Sequence, residues 1–288
     1  MEATAADRKP RRRVDGETLI FATPGNPVAQ IRLPQVMEVV FDALAINAVW
    51  LPMHVEREGL GVVLHALRTV RNFRGITVAI PHKPTVASMV DRLTLSAQAC
   101  GSVNLVRLEA DGTLLGDMVD GAGFLRGLEL RGFVLRGAAV WLVGVGGAGA
   151  AIAAALCAAG VERLFLTDSS PERATLVAER LGRFYPRTPV DVVTVAPCPV
   201  DFAINATPCG LNPSDPLPFD PTRLAPATVV CDIIMKPKET ALLAAARQRG
   251  IAIHHGHHTL DAQIPMYLNF VGIPVPDERA VIALASAA

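Results

Sequence analysis

From Gly137 to Gly160 the chain carries no charged residue, and this stretch constrains the fold more than any other. Its length would suit a membrane span, but its internal order does not. Val140, Trp141, Leu142 and Val143 form a β-prone run, Gly144, Gly146, Gly147 and Gly149 interrupt it, and an alanine-rich segment follows. The expected structure is a strand, a tight turn and a buried helix over Ala150 to Ala159. In that setting a glycine-rich turn lets backbone N–H groups approach a pyrophosphate, so Gly144, Gly146, Gly147 and Ala148 are candidate dinucleotide contacts.

Downstream, Arg163 to Thr167 reads as the next strand and Asp168 closes it. A carboxylate there accepts hydrogen bonds from the adenosine ribose and repels a 2′-phosphate. The competing role is N-cap of the helix expected over Pro171 to Leu181, which Ser169 or Ser170 could equally fill. No Arg or Lys occupies positions 167 to 170, so NAD is expected in preference to NADP, with Arg173 the nearest base. Strand-like runs at Val190 to Val195, Phe202 to Asn205 and Val229 to Ile234 complete the pattern of a parallel sheet covered by helices.

The first half alternates in the same way. Strands are expected at Thr18 to Ala22, Ala48 to Met53 and Ile76 to Ile80, helices at Gln35 to Ala45, Leu60 to Val70 and Pro84 to Leu93, and a hairpin from Val103 through Leu114. Apolar helical patterns at Leu260 to Phe270 and Glu278 to Ala285 need a surface to cover. A chain of 288 residues, 51% hydrophobic, is long enough for two domains. The fold class expected is α/β: one α/β domain over 15–118, a Rossmann-type dinucleotide domain over 119–255, and C-terminal helices over 256–288.

Lys+Arg and Asp+Glu are equal at 27 each, which argues against a nucleic-acid partner. Arg11, Arg12 and Arg13 read as a solvated run. The five cysteines are scattered without Cys-x-x-Cys spacing, and no secretory pattern is visible, so a reducing cytoplasm is expected. The expected partner is a small molecule, with neither membrane nor nucleic acid, on a monomer or homodimer. His254, His255, His257 and His258 invite a metal hypothesis, but no Cys or carboxylate of matching spacing accompanies them, and no metal is expected.

Lys83 follows Ile80-Pro81-His82 beyond a strand end, where a lysine beside a carboxylate can act in acid/base catalysis and a lone one is usually a solubilising residue. Ordered motifs decide between these. Ile80-Pro-His-Lys83, Gly101-Ser-Val-Asn104, Asp120-Gly121, Gly144-Val-Gly-Gly-Ala148, Ile204-Asn-Ala-Thr-Pro208, the Asp232, Pro237, Thr240 segment and Gln263 together resemble the shikimate/quinate dehydrogenase family, from Gly25 to Phe270. The resemblance implies an enzyme that transfers hydride to or from a hydroxylated cyclohexene or cyclohexane carboxylate, with the first domain binding substrate, the last helices returning to it, Lys83 and Asp120 as catalytic pair, and Asn104 and Gln263 on the substrate. It places Asn205, Thr207 and Pro208 beside the nicotinamide.

Departures from the family pattern fall on the substrate side. Where the family carries Ser-x-Ser-Pro, with hydroxyls for the substrate carboxylate, this chain has Ile31-Arg32-Leu33-Pro34; Thr77, Ala79, Met118 and Val119 also replace family residues. Losing these donors costs about 1 to 3 kcal/mol per hydrogen bond, so shikimate is expected to bind weakly unless Arg32 substitutes. Two alternatives stand beside the NAD-dependent reading. One is an NADP-dependent shikimate dehydrogenase of aromatic amino-acid biosynthesis. The other is a catalytically silent sensor on the same scaffold, against which the presence of both Lys83 and Asp120 argues.

Overall fold

The structure, a computed structural model, describes residues 14–29 and 31–288; Arg11 to Arg13 lie outside the described residues. The first sheet is built from β1 (Leu19–Gly25), β2 (Ala48–His54), β3 (Phe73–Thr77), β4 (Arg92–Leu93), β5 (Leu105–Leu108) and β6 (Leu114–Asp117), in the order β2-β1-β3-β5-β6-β4. β5 runs antiparallel to both its neighbours, and the remaining pairings are parallel. Between the strands lie α1 (Leu33–Ala43), α2 (Leu60–Leu67), α3 (Lys83–Ala87) and α4 (Leu95–Cys100).

Three expectations here need correction. The strand placed at Ile76 to Ile80 sits three residues earlier, because its ladder with β5 runs from Gly75 to Thr77 and the chain then turns into Pro81. The helix placed at Pro84 to Leu93 shrinks to α3, since Arg92 and Leu93 pair with Leu115 and Gly116 instead. The helix over Leu60 to Val70 stops at Leu67.

The second half opens with α5 (Asp120–Leu130), then alternates β7 (Ala139–Val143), α6 (Gly147–Ala159), β8 (Arg163–Thr167), α7 (Pro171–Phe184), β9 (Val190–Val192), β10 (Phe202–Asn205), β11 (Val229–Asp232), α8 (Ala241–Gln248) and β12 (Ala252–His254). All five strand pairings are parallel, in the order β12-β11-β10-β7-β8-β9. Counted from β7, this is the 3-2-1-4-5-6 order of a doubly wound dinucleotide-binding sheet, whose ligand crevice lies where the order reverses, between β7 and β10. The charge-free stretch is thus divided between β7, the glycine turn and α6, and no helix of the described residues is long and apolar enough to cross a membrane.

The chain closes with α9 (His257–Phe270) and α10 (Glu278–Ala287). Leu260, Ile264, Tyr267 and Leu268 of α9 and Val281 and Ala285 of α10 share one apolar cluster with Phe21, Leu33, Val36, Met37 and Trp50 of the first sheet's layer. The C-terminal helices therefore return to the N-terminal domain, and α9 also packs along α5. α5 in turn packs on α6, so one helix touches both halves.

Candidate active site

Asp120 is the first residue of α5 and lies at the meeting point of the two halves, 9% exposed. Backbone bonds bring its partners together. Val103 N–H donates to the Lys83 carbonyl at 3.0 Å, Val78 N–H to the Asn104 carbonyl at 2.7 Å, and Asn104 N–H to the Asp117 carbonyl at 3.0 Å. The start of α3, the end of β3, the start of β5 and the end of β6 are thereby locked into one unit.

The side chains converge on the Asp120 carboxylate. Lys83 Nζ donates to Oδ2 in a close ion pair. Oδ1 accepts from Asn104 Nδ2 at 2.6 Å and from Gln263 Nε2 at 3.0 Å. Asn104 Oδ1 is itself held by Val119 N–H at 2.9 Å. Tyr267 Oη donates to Gln263 Oε1 at 2.6 Å, which turns the amide nitrogen toward Asp120. Burial and the Asp120 charge hold the Tyr267 phenol well above its ordinary pKa, so it stays a neutral donor. Gln263 can come this close because α5 carries glycine at position 123; a Cβ there would stand 2.2 Å from Gln263 Cγ.

Lys83, Asn104, Asp120 and Gln263, expected together, do meet. Tyr267 was not anticipated, although it sits one turn beyond Gln263 on the same face of α9, where i, i+4 spacing could have pointed to it. Thr77 lies near by at the end of β3, but its hydroxyl is shared with Thr23 at 2.6 Å, and Thr23 also accepts from Trp50 Nε1 at 2.8 Å. Leu33 is 5% exposed and belongs to the core, while Ile31 stays at the core's edge, partly buried.

The residues at the β7–β10 switch point fit a dinucleotide. Gly144 has φ +93°, and a Cβ there would stand 2.8 Å from the Ala206 carbonyl carbon; one on Gly149 would stand 2.0 Å from the Gly144 oxygen. Those two glycines let the turn fold onto α6. Gly146 and Gly147 instead face open space, with nothing within 4 Å of an added Cβ. No side chain caps α6, which leaves the N–H groups of its first turn directed at that space.

Asn205, 0% exposed, is spent on the loop itself: its Oδ1 accepts from Thr207 N–H at 3.0 Å and Thr207 Oγ1 at 2.7 Å, and its Nδ2 donates to Asp232 Oδ1 at 3.1 Å. Asn205 and Thr207 thus shape the segment up to Pro208 that abuts Gly144. Asp232 is anchored further by Thr240 Oγ1 at 2.7 Å, and burial raises its pKa against those bonds.

At the ribose end, Asp168 Oδ2 accepts from Val145 N–H at 2.8 Å and Oδ1 from Ser170 N–H at 2.9 Å. Ser170, not Asp168, caps α7, its side chain accepting from Arg173 N–H. The expectation that no cation stands beside Asp168 is wrong. The turn into α7 brings the Arg173 guanidinium onto Oδ1. Burial pushes the Asp168 pKa up, but Arg173 and the two backbone donors outweigh it and leave it lowered, so the carboxylate is ionised.

The histidines do not assemble a ligand set. His254 lies 1% exposed, its ring edge-on to Phe124 and Phe133. Among the described residues no group of three or more His, Cys, Asp or Glu side chains is arranged to hold a metal.

Comparison with known proteins agrees with this geometry. Residues 24–106 match the model of the shikimate dehydrogenase substrate-binding domain. A shikimate dehydrogenase (NADP(+)) of Rubrobacter xylanophilus is 41% identical over 244 residues, 83% of this chain and 86% of that protein. The chain belongs to the shikimate dehydrogenase family. As a member of it, the chain is an NAD(P)-dependent alcohol dehydrogenase of the shikimate/quinate type. Among solved structures, shikimate 5-dehydrogenase from Thermus thermophilus in complex with NADP(H) and shikimate superposes with a TM-score of 0.83 at 28% identity, covering 94% of this chain and 99% of that one. Quinate dehydrogenase from Corynebacterium glutamicum in complex with NAD gives the same TM-score, identity and coverage.

Proposed function

We propose that this family member prefers NAD and oxidises or reduces a ring carbon bearing a hydroxyl, with Lys83 and Asp120 handling the proton on that oxygen. The observation that carries this reading is the Lys83–Asp120 ion pair, whose side chains are 18% and 12% exposed, with the second carboxylate oxygen already occupied by Asn104 and Gln263. When bound, the nicotinamide supplies the hydride acceptor or donor. Lys83 keeps further N–H donors for the substrate oxygen, and its ammonium stabilises alkoxide charge there. The proton of the hydroxyl moves on and off through the pair, whose direct contact lets it pass between them. The division of labour follows the sequence boundaries: residues 15–118 for substrate, 119–255 for cofactor, and 256–288 folding back with Gln263.

Asp168 supports NAD, since an ionised carboxylate held against the glycine turn by Val145 N–H repels a 2′-phosphate. NADP is the second reading, favoured by Arg173 beside that carboxylate and by the NADP named in the Rubrobacter relative. Shikimate and quinate, named in the relatives, suggest a hydroxylated cyclohexene or cyclohexane carboxylate. Incubating the protein with shikimate, quinate and their neutral analogues, and following reduced-cofactor absorbance, tests the reading. The expected result is reduction, faster with NAD than with NADP. No reduction with any of these alcohols and either cofactor would sink it.

A further inference from the structure

Ile31, Met235 and Met266, each partly buried, pack against one apolar cluster that includes Leu33, Leu260 and Tyr267. Ile31 lies over the carboxyl end of β1: its Cδ1 stands 3.2 Å, and the Ala79 methyl 2.8 Å, from the place a Cβ on Gly25 would occupy. Met235 comes from the nucleotide-binding half, just past Asp232 at the end of β11. Apolar side chains from both halves therefore pack against one cluster, which includes Tyr267. Tyr267 joins this wall to the reacting centre, since its ring belongs to the cluster and its hydroxyl holds Gln263.

Several charged groups lie near by. Arg32 acts electrostatically on His257 and Asp261, which lie one turn apart on a single face of α9. Gln263, two residues beyond Asp261, is about 200° further round that helix and faces Asp120. Asp261 is a buried carboxylate, 4% exposed, and gives Arg32 an opposite charge within the protein. His255 stands 3.9 Å from Glu239, and Lys238 is exposed.

We propose that the end of the substrate remote from the reacting hydroxyl is uncharged and apolar, so that the chain acts on a neutral hydroxylated ring in place of a ring carboxylate. The proposal rests on the reading of the Lys83–Asp120 site as a hydride-transfer centre. A carboxylate set against Ile31, Met235 and Met266 would give up water and gain no donor from these three side chains, whereas a methyl or methylene group loses nothing by leaving water and an uncharged ester loses far less than a carboxylate.

Shikimate and its methyl ester share ring and hydroxyls and differ in charge, so they isolate this end of the pocket. Both are titrated calorimetrically into the full chain with NAD, and reduced-cofactor absorbance is followed in parallel. The ester is expected to bind at least tenfold tighter than shikimate. Ile31→Ser and Met235→Gln, tested separately so that one misfolded variant does not end the comparison, should each narrow that ratio. Equal or tighter binding of shikimate overturns the proposal, as does failure of the ester to bind. A selective loss of shikimate binding in Arg32→Ala also overturns it, since Arg32 would then be the anchor. Ester binding without cofactor reduction would sink the hydride-transfer reading and spare the apolar wall; cofactor reduction with shikimate preferred would do the reverse.

Discussion

Replacing Tyr267 by Phe removes one oxygen from a closed network and leaves the ring in its cluster. Tyr267 and Gln263 are 4% and 3% exposed, so water cannot stand in for the lost hydroxyl, and Gln263 Oε1 loses the 2.6 Å bond that satisfied it. An acceptor orphaned at that depth costs about 1 to 3 kcal/mol of folding stability. Activity should suffer less. The amide could flip only by turning Oε1 toward the Asp120 carboxylate, which repulsion opposes, so Gln263 Nε2 keeps its 3.0 Å bond to Oδ1 most of the time. The expected fall in turnover is about three- to tenfold, equivalent to roughly 0.7 to 1.4 kcal/mol. Urea unfolding with an unchanged m-value reads the first quantity, and steady-state kinetics on the best substrate the second. A variant whose unfolding midpoint and turnover both match the wild type would show that the hydroxyl does not orient Gln263.

Two further outcomes follow from charge. Asp168→Asn should shift preference toward NADP by about tenfold, the scale of one removed charge repulsion, whereas Arg173→Ala should shift it toward NAD; ratios of kcat/KM for the two cofactors check both, and movement in the same direction would contradict the roles assigned. Burial first, then the neighbouring histidines and Arg131, lower the His254 pKa from 6.5 to about 3 and that of His258 to about 4. The folded protein keeps both rings neutral in a range where the unfolded chain takes up protons, so stability present above pH 6.5 is lost as pH falls toward 4. For His254 the slope reaches about 1.4 kcal/mol per pH unit at most, with less from the more exposed His258. Because neither nitrogen of His254 has a partner, His254→Leu should flatten the slope without loss of stability at pH 7. An unchanged slope of unfolding midpoint against pH would contradict this.

The nucleotide half was legible because β7, the glycines and α6 differ sharply in residue type, and each strand that follows is a short apolar run. α5 was not. Gly121, Gly123 and Gly127 lower its helix propensity and resemble turn residues, yet they are there for close approach: a Cβ on Gly121 would meet the Ala151 carbonyl oxygen at 2.1 Å, and one on Gly123 would meet Gln263. α4, too short to show a period, and β12 were likewise not anticipated. Arg173 stands five residues from Asp168 along the chain, yet the Ser170 cap folds α7 back and brings its guanidinium onto Asp168, a contact that chain distance does not reveal. Lys83, Asp120, Asn104 and Gln263 were found through motif resemblance; spacing in the chain gives no hint that residues 83, 120 and 263 converge.

The account stands most directly on Lys83. Lys83→Ala removes the ammonium from Asp120 Oδ2 and leaves the glycine turn, Asp168 and the β10 loop untouched. Turnover on the best substrate should fall by roughly two or more orders of magnitude, the usual scale for a proton-transfer group, while calorimetric NAD affinity stays within about twofold of wild type. Near-native turnover in a folded variant that still binds NAD would contradict the central claim and remove Lys83 from the mechanism.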